Sequence, residues 1–444
     1  MAGIAGITLC NGKNLVNRML DRITHRGRNR KVIEMNGFTI GIVFSEKDRC
    51  EILKNQIKLE DRNNQHHFTS VTGTDTGLIL TRDMPGVKPM YYGFTDDGYL
   101  CFGSEIKALV ELKPNIYCLP PGTMFDGNNL IANNNVKKEQ IPLKDPDEIA
   151  RTLREKLFNA VEEYSGTGNY AGVWLSGGLD SSIIAVVLNQ FTKKLHTFSI
   201  GLKNSPDLLN ASKVAEMIKS EHHEIIIDLD DISGILPETI YHLESFDALL
   251  VRSSIANYIL AKHTKESVEL VFSGECSDEL FAGYSYMKQL SRDQLALEII
   301  SCLSNLHNTA LQRVDRCSSA FGLIAQVPFA HPEIIDYALK IPVELKIHNG
   351  IEKWILRKAF ETMLPADILN RTKAKFWEGS GIGKTILAYA EKNISDNEFS
   401  NEYRLKNGWE LNSKEELFYY RIFREKFGEL KNISWMGRTK RTEK

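Results

Sequence analysis

Residues 173–182, Val-Trp-Leu-Ser-Gly-Gly-Leu-Asp-Ser-Ser, are the segment whose residue types point most clearly to chemistry. An apolar run ends at Leu175, two glycines permit a tight turn, and the apolar residues of a helix follow. At such a turn the backbone N–H groups of the helix start and the serine hydroxyls can bind phosphate oxygens. Asp180 can hold a Mg²⁺ ion that bridges those oxygens. The Gly-Lys-Ser/Thr ending of a Walker loop is absent, so the segment predicts a different kind of phosphate site.

Strand and helix patterns alternate around this loop. A helix is predicted to begin at Pro146, with Asp145 as its N-cap. The strand-like segments are residues 170–175, 195–201, 224–227 and 268–272, and the helix-like segments are residues 182–190 and 210–219. This alternation predicts a parallel sheet flanked by helices. Beyond about residue 290 the pattern is mostly helical.

The first part of the chain has a different character. Short β-like runs at residues 37–44, 76–80 and 99–102 are separated by Gly, Asn and Asp clusters. Residues 118–141 are irregular and indicate the edge of a domain. A chain of 444 residues is long enough for two or more domains. We predict one domain over residues 1–140, a second over residues 145–430, and a basic tail over residues 431–444.

Several motifs carry a resemblance to a known family. The loop at residues 176–182 resembles the pyrophosphate loop of the ATP pyrophosphatases, and residues 150–430 resemble the asparagine synthetase family. The matching segments are residues 197–202 with 205–207 (the adenine side), 273–284 (a second acidic motif), 371–376 with 378–381 (the catalytic-lysine loop) and 413–416 (a late helix). These motifs occur in the order that the family has.

The resemblance implies that ATP adenylates a carboxylate, that pyrophosphate leaves, and that an amine then attacks. Asp180 and Asp278 would each bind Mg²⁺ on the pyrophosphate. Lys373 would stabilise charge on the α- and β-phosphates, and Glu275 would assist the attacking amine. The nucleotide would be bound by Leu175, Ser176, Gly177, Gly178, Asp180, Ser181, Ser182, Ile200, Ser273 and Gly274. By residue type alone, Asp278 could also be the acidic start of a solvated helix and Lys373 a surface lysine.

Residues 323–331 depart from the family pattern. Ile324 and Gln326 stand where the family usually has an acid and a base, and His331 stands where it usually has Asp. Losing both members of a charge pair avoids leaving one buried charge alone. The departure is either a neutral structural exchange or a change in substrate recognition. The expected carboxylate is therefore aspartate or a related acid.

Residues 1–125 resemble the N-terminal-nucleophile glutaminase domain of the same family. The matching segments are residues 3–6, 25–27, 82–92, 104–109 and 119–122. An active member has Cys directly after the initiator Met, with its own α-amine as the base; here that position is Ala2. The segment from Gly41 to Gly77 is shorter than in the family and lacks its Asn-Gly-Glu loop and glutamine-binding Asp. Either the glutaminase chemistry has been lost, or Ala2 is an engineered change in a glutamine-dependent enzyme.

Composition excludes several other classes of protein. A net charge of -2 gives no field to attract nucleic acid or an anionic membrane, and no apolar run approaches the roughly 20 residues needed to cross a bilayer. Seven scattered cysteines indicate reduced thiols and a cytoplasmic protein without a zinc site. The pairs His66–His67 and His222–His223 are predicted to lie on the surface, because no further ligand follows at metal spacing.

The sequence thus predicts an α/β protein. Its shortened N-terminal domain is Ntn-hydrolase-like (αββα), and its C-terminal ATP-pyrophosphatase domain has a parallel sheet flanked by helices. The expected activity is ATP- and Mg²⁺-dependent amide formation between a carboxylate and ammonia or another amine, without glutamine hydrolysis, in a chain that could form a homodimer. The alternatives are an enzyme of specialised metabolism that takes a larger amine, a catalytically silent binding or regulatory paralogue, and a tRNA-modifying ATP pyrophosphatase.

Overall fold

The computed structural model describes residues 1–35, 37–45, 50–53, 56–74, 77–132, 145–166, 170–372 and 382–440. The strands are β1 (Ala2–Ile7), β2 (Asn29–Met35), β3 (Phe38–Phe44), β4 (Cys50–Leu53), β5 (Gln56–Arg62), β6 (Phe68–Thr74), β7 (Gly77–Arg82), β8 (Tyr91–Phe94), β9 (Leu100–Gly103), β10 (Asn115–Cys118), β11 (Thr123–Phe125), β12 (Leu130–Ala132), β13 (Tyr170–Trp174), β14 (Lys194–Gly201), β15 (Glu221–Ile226), β16 (Leu270–Phe272), β17 (Ile324–Gln326), β18 (Ile347–His348) and β19 (Ile351–Glu352).

The helices occupy mainly the second half of the chain. They are α1 (Lys13–Asp21), α2 (Pro146–Ser165), α3 (Leu179–Leu188), α4 (Pro206–Ile218), α5 (Leu229–Leu243), α6 (Ala248–Thr264), α7 (Ser277–Leu280), α8 (Arg292–Asn305), α9 (Ala310–Ser319), α10 (Pro332–Lys340), α11 (Val343–Lys346), α12 (Trp354–Ala359), α13 (Ala366–Leu369), α14 (Ile382–Asn393), α15 (Asp396–Glu402) and α16 (Lys414–Phe427). Within the described ranges, none of these helices has both the length and the apolar character needed to cross a bilayer.

Two six-stranded antiparallel sheets form the N-terminal half. Their strand orders are β10-β8-β9-β1-β3-β2 and β12-β11-β7-β6-β5-β4. Strand β1 shows why they pack: Ala2 and Ile4 point into the core between the sheets, and the alternate residues Ala5 and Ile7 point towards α1 on the other face. The result is the expected Ntn-hydrolase-like layering of sheet on sheet. Strands β11 and β12 lie in the segment that the sequence predicted to be irregular.

A five-stranded parallel sheet, in the order β15-β14-β13-β16-β17, organises the C-terminal half. Helices cover it, as the alternating pattern predicted. Helix α2 begins at Pro146, and the side chain of Asp145 accepts a hydrogen bond from the Asp147 N–H at 3.1 Å, which confirms the predicted N-cap. The fifth strand, β17, lies in a region that the sequence predicted to be mostly helical.

The two halves share a buried network of eight charged side chains. Four are cations (Arg26, Lys88, Lys107 and Arg316) and four are anions (Asp61, Glu105, Glu244 and Asp315). The Lys88 Nζ lies 2.9 Å from Asp315 Oδ1, and Arg316 Nη2 lies 2.9 Å from Glu244 Oε2. Arg26 contacts Asp61, Glu105 and Asp315 together. The four positive and four negative charges balance one another, as is required when charged side chains are buried between the halves.

Residues 431–440 pack against both halves. Asn432 exchanges two hydrogen bonds of 2.8 Å with the backbone of Ile116 in β10. Trp435 and Met436 are buried. The Thr439 N–H donates to Asp247 Oδ2 at the start of α6. This segment therefore fixes the N-terminal half to the helices of the C-terminal half.

Candidate active site

The phosphate loop follows β13 directly. Gly177 has φ +66°, and a Cβ there would lie 2.4 Å from the Ala211 nitrogen, so only glycine fits this turn. Hydroxyls hold the loop closed, because the Ser176 N–H donates to Ser181 Oγ at 3.2 Å and the Gly178 N–H donates to Ser176 Oγ at 3.3 Å. Helix α3 begins at Leu179, earlier than the predicted residue 182. Its start brings Asp180 and Ser181 into the first turn, where free backbone N–H groups favour anions.

Three charged groups meet beside this loop. The Lys353 Nζ lies 2.6 Å from Asp180 Oδ2 and 2.6 Å from Asp278 Oδ1, and Ser277 Oγ donates to Asp180 Oδ1 at 2.7 Å. The two aspartates therefore converge on one point although nearly a hundred residues separate them in the chain. Carboxylate oxygens that converge next to a phosphate-binding turn are the donor set that Mg²⁺ takes. These residues fit a magnesium ion as ligands.

The sheet topology explains the convergence. Strands β13 and β16 are parallel neighbours, so their carboxyl ends lie side by side. The start of α3, just after β13, supplies Asp180; the turn after β16 supplies Ser273 and Gly274, and the short helix α7 that follows supplies Asp278. The Gly274 position approaches the Asp180–Ser181 backbone closely, since a Cβ there would lie 2.9 Å from the Ser181 nitrogen. The ends of two strands thus place both aspartates at one edge of the sheet.

The backbone around Asp278 is strained. Cys276, Ala282 and Lys353 all have positive φ (78°, 57° and 53°), a region that residues other than glycine rarely occupy. Such strain clusters at sites where side chains must be held in a set position. Here it brackets the short helix α7 and aims Lys353 at the two carboxylates. Burial, with the adjacent Asp278 charge, raises the pKa of Glu279 in the same helix to about 7.

Two cavities meet at this point. The first, of about 110 Å³, lies above the phosphate loop, and the second, of about 230 Å³, lies between α6, α7, α8 and the segment at residues 438–440. Glu275 and Asp278 line both cavities. Arg313 forms an ion pair with Glu275. The two cavities therefore adjoin at Glu275 and Asp278.

Most of the predicted site residues line the first cavity. They are Leu175, Ser176, Gly178, Asp180, Ser181, Ile200, Ser273, Gly274, Glu275 and Asp278. Gly177 and Ser182 do not line the cavity. Gly177 shapes the turn, and the Ser182 side chain is fully buried. The predicted catalytic lysine, Lys373, lies in residues 373–381, outside the described residues.

Sequence reasoning missed Lys353 and did not assign a role to Arg371. Lys353 follows β19 with no recognisable motif around it, so no local signal marked it. The sequence places Arg371 in a motif without indicating what its side chain does. In the structure its Nη1 donates to the Ser176 carbonyl at 3.0 Å and its Nη2 donates to Asp207 Oδ1 at 2.5 Å. It therefore fastens the chain just before residue 373 to the phosphate loop.

Comparison with known proteins identifies the family of the chain. The family profile described as "Asparagine synthase" matches residues 152–303 and 291–443, which is more than half of the chain. The chain belongs to the asparagine synthase family. Members of this family are carbon–nitrogen ligases. A profile described as "Glutamine amidotransferase domain" matches residues 60–120.

Named relatives support the assignment. A "Probable asparagine synthetase (glutamine-hydrolyzing)" of Schizosaccharomyces pombe is 36% identical, with 79% of this chain and 70% of that protein covered. The enzymes of Lotus japonicus and Gallus gallus are 33% and 36% identical, with 81% and 68% of this chain covered. The chain spans 65% of the Lotus enzyme and 61% of the Gallus enzyme.

Residues 323–331 do not line either cavity, although the Gln326 carbonyl accepts a hydrogen bond of 2.9 Å from the N–H of Ser273, which lines the first cavity. Gln326 accepts a hydrogen bond from Asn64 Nδ2 at 2.7 Å and donates to the Asn63 carbonyl at 3.3 Å, both in the N-terminal half. The His331 Nδ1 accepts from the Glu333 N–H and so caps α10. Ile324 starts the edge strand β17. These contacts favour the structural exchange over altered substrate recognition.

The side chain of Ala2 packs in the apolar core between the two sheets, whereas its backbone N–H contacts the buried charged network. Ala2 is fully buried in β1, and its N–H donates to Asp61 Oδ1 at 3.2 Å. Asp61 pairs with Arg26 and with Lys88, whose Nζ lies 3.1 Å from Asp61 Oδ1. Ala2, where the family resemblance predicts the nucleophile of an active glutaminase, thus adjoins the buried network between the halves through its backbone.

Proposed function

We propose that this protein adenylates a carboxylate with ATP and then joins the acyl group to ammonia or another amine, with AMP and pyrophosphate as the other products. The observation that carries the proposal is the meeting of Asp180, Asp278 and Lys353 beside a phosphate loop, in a cavity that adjoins a second one at Glu275 and Asp278. A carboxylate oxygen is a poor leaving group until it is bonded to a phosphoryl group. Adenylation supplies that leaving group.

Charge is the main obstacle to this reaction, because an anionic carboxylate must approach the α-phosphate of ATP. The backbone N–H groups at the start of α3 and the hydroxyls of Ser176 and Ser181 would bind the leaving pyrophosphate. Lys353 supplies fixed positive charge between the aspartates. Magnesium, held by Asp180 and Asp278, would offset phosphate charge when bound. Groups placed in advance in this way act mainly on the transition state.

The second cavity suits the acyl and amine partners. Glu275 stands at its junction with the nucleotide cavity, where it can accept a proton from the amine that attacks the acyl-adenylate. Its ion pair with Arg313 holds the carboxylate in place. The named relatives are asparagine synthetases, so aspartate is the first acid to test and related acids follow.

We further propose that the protein does not hydrolyse glutamine. Ala2 offers no nucleophile, and the charged network of Arg26, Asp61 and Lys88 adjoins its backbone. Ammonia, or an amine on a second substrate, would then be the nitrogen source. The reaction is expected in the cytoplasm, in keeping with the free thiols among the described residues. A homodimer stays a prediction.

The test is a pyrophosphate-release screen over carboxylic acids, with and without ammonium, in which the nucleotide product is identified. We expect AMP and pyrophosphate, with release that depends on one class of acid and on Mg²⁺. The Asp278→Asn variant provides the matched control. ADP as the main product, or the same background rate in the variant and the wild type for every acid and amine, would overturn the proposal and favour a silent paralogue.

A further inference from the structure

Three potential metal ligands meet on one face of the parallel sheet; none of them lines the first cavity, although Phe198, which stacks on His223, does. His196 lies on β14, and Glu221 and His223 lie on the edge strand β15. In the parallel register His196 pairs with Glu221 and Phe198 pairs with His223. Because side chains alternate along a strand, Glu221 and His223 point to the same face as His196. The topology therefore brings together two imidazoles and one carboxylate.

The distances between their ligand atoms suit a single tetrahedral ion. His196 Nδ1 lies 3.0 Å from His223 Nε2. Glu221 Oε1 lies 3.8 Å from His196 Nδ1 and 3.7 Å from His223 Nε2. Zinc–ligand bonds of about 2.0–2.1 Å in a tetrahedron place the ligand atoms about 3.3 Å apart. The three separations lie on both sides of this value, so small side-chain movements complete the geometry.

Neighbouring groups hold these ligands in position. The Phe198 ring stacks on His223, with centroids 4.6 Å apart and planes within 10°. Lys194 pairs with Oε2 of Glu221, which leaves Oε1 directed at the histidines. The His196 side chain is buried, whereas those of Glu221 and His223 are 44% and 31% exposed. An ion can therefore enter from the side of the edge strand.

We propose that His196, Glu221 and His223 bind one Zn²⁺ ion, with water as the fourth ligand. In the metal-free molecule one proton lies between the two imidazoles. On binding, that proton moves to the outer nitrogen of the ring that carried it, so that His196 Nδ1 and His223 Nε2 both offer lone pairs. The ion would fasten β15 to β14, the strand that leads to Ile200 in the nucleotide cavity.

This arrangement differs from the sequence expectation for the second histidine pair. The sequence showed His222 and His223 without further ligands, because His196 and Glu221 join them only through strand pairing. His222 points to the opposite face, where its nitrogens contact Thr197 Oγ1 at 3.0 Å and Ser199 Oγ at 3.2 Å. It therefore provides a matched control residue next to a proposed ligand.

A second histidine–glutamate group consists of His66, Glu163 and His331. It differs from the first in which nitrogen of a histidine ring carries the proton. The His331 Nδ1 accepts a hydrogen bond from the Glu333 N–H at 3.1 Å. The neutral ring therefore carries its proton on Nε2, the atom that faces Glu163 Oε2 at 3.3 Å. That nitrogen donates a hydrogen bond and has no lone pair for a metal. This group provides a second control, at a distant position.

The experiment is equilibrium dialysis of the metal-stripped full chain against Zn²⁺, without nucleotide, alongside the absorption spectrum of the Co²⁺ form. We expect about one zinc per chain and the intense visible bands of tetrahedral cobalt. The His223→Gln and Glu221→Gln variants should lose at least about 10-fold in affinity, the loss that removing even an outer-shell partner produces. The His222→Gln and His66→Gln variants should bind as the wild type does.

Glu221 and His223 are both partly exposed, so their replacement by Gln should leave the fold intact. Circular dichroism of the two variants verifies this. Zinc should raise the melting temperature of the wild type and of His222→Gln, but not that of His223→Gln, because only a chain that binds the ion is stabilised by it. The proposal fails if the wild type takes up no zinc. It also fails if His223→Gln binds zinc as tightly as His222→Gln, or if His66→Gln is the variant that loses zinc affinity. None of these outcomes depends on the ligase reaction.

Discussion

Lys353 is the buried cation between the two aspartates of the candidate site. We expect Lys353→Met to lower pyrophosphate release about 10²–10³-fold, because one charge aimed at the transition state is lost. Lys288 provides the control: it pairs with Glu352, the residue before Lys353, at 2.6 Å and is partly exposed. Lys288→Met should keep a rate near that of the wild type. Equal rates for both variants and the wild type would remove Lys353 from the site.

The aspartates and the predicted catalytic lysine give a second prediction at this scale. Asp180→Ala, Asp278→Ala and Lys373→Ala should each lower turnover by about 10²–10³-fold while the circular dichroism spectrum stays unchanged. Lys373 lies outside the described residues, so its role rests on the family resemblance alone. A variant that keeps near-full activity at saturating Mg²⁺ would show that its residue has another role.

Glu279 makes stability depend on pH. Burial and the Asp278 charge raise its pKa from 4.5 in the unfolded chain to about 7. The folded protein therefore binds this proton more tightly, and the stability that the proton contributes is lost as the pH rises from 4.5 to 7. Glu279→Gln keeps an acceptor for the Tyr284 hydroxyl without the charge. Its stabilising effect should be about 2–3 kcal/mol larger at pH 8 than at pH 5.

Thermal or denaturant unfolding at the two pH values measures this effect. The wild type, unfolded alongside the variant at both pH values, is the reference. A pH-independent difference between Glu279→Gln and the wild type would mean that Glu279 ionises at its ordinary pKa.

At the scale of elements, the turn after α7 depends on one glycine. A Cβ on Gly283 would lie 2.1 Å from Asp278 Oδ1 and 2.2 Å from Lys353 Cε. Gly283→Ala should therefore displace the ion pair and reduce pyrophosphate release at least about 10-fold. Gly234 lies inside α5 with no atom within 4 Å of its added Cβ, so Gly234→Ala should keep activity and add up to about 1 kcal/mol of stability. Reduced pyrophosphate release by Gly234→Ala, with the rate of Gly283→Ala unchanged, would contradict this account.

The sequence predicted those elements whose signals are local. The phosphate loop, β13, β14 and the start of α2 carry their turn residues, caps and apolar runs within a few positions. Strands β11, β12 and β17 have three residues each, and only their pairing across the sheet identifies them. Lys353 was missed for the same reason, since its partner Asp180 lies 173 positions away. Periodicity contains no information about such contacts.

At the scale of the whole molecule, the buried network links the two halves through ion pairs. Asp315 on α9 accepts from both Arg26 and Lys88, and these cations hold the pKa of its carboxyl below its usual range. Removing one member of a buried pair leaves an uncompensated charge, which costs about 3–5 kcal/mol. The network thus couples the region around Ala2 to the helix that also carries Arg313 of the second cavity.

That coupling bears on whether glutaminase activity can be restored. We expect Ala2→Cys to release no glutamate from glutamine. The residue 2 side chain is fully buried and its N–H is held by Asp61, which in turn is fixed by Arg26 and Lys88. Glutamine would have to enter this buried core to reach the thiol. Its tetrahedral intermediate would also lack the family's Asn-Gly-Glu oxyanion donor, a loss of about 10²–10³-fold in rate.

Glutamate release measures this directly, with Ala2→Ser as the control that lacks the thiol but has similar size. Mass spectrometry must show that Met1 has been removed, because the thiol needs its own free α-amine as base. Glutamate release by Ala2→Cys clearly above that of Ala2→Ser would mean that glutamine can enter beside the buried charges. Ala2 would then be best explained as an engineered substitution in a working amidotransferase, and ammonia would be supplied from within the same chain.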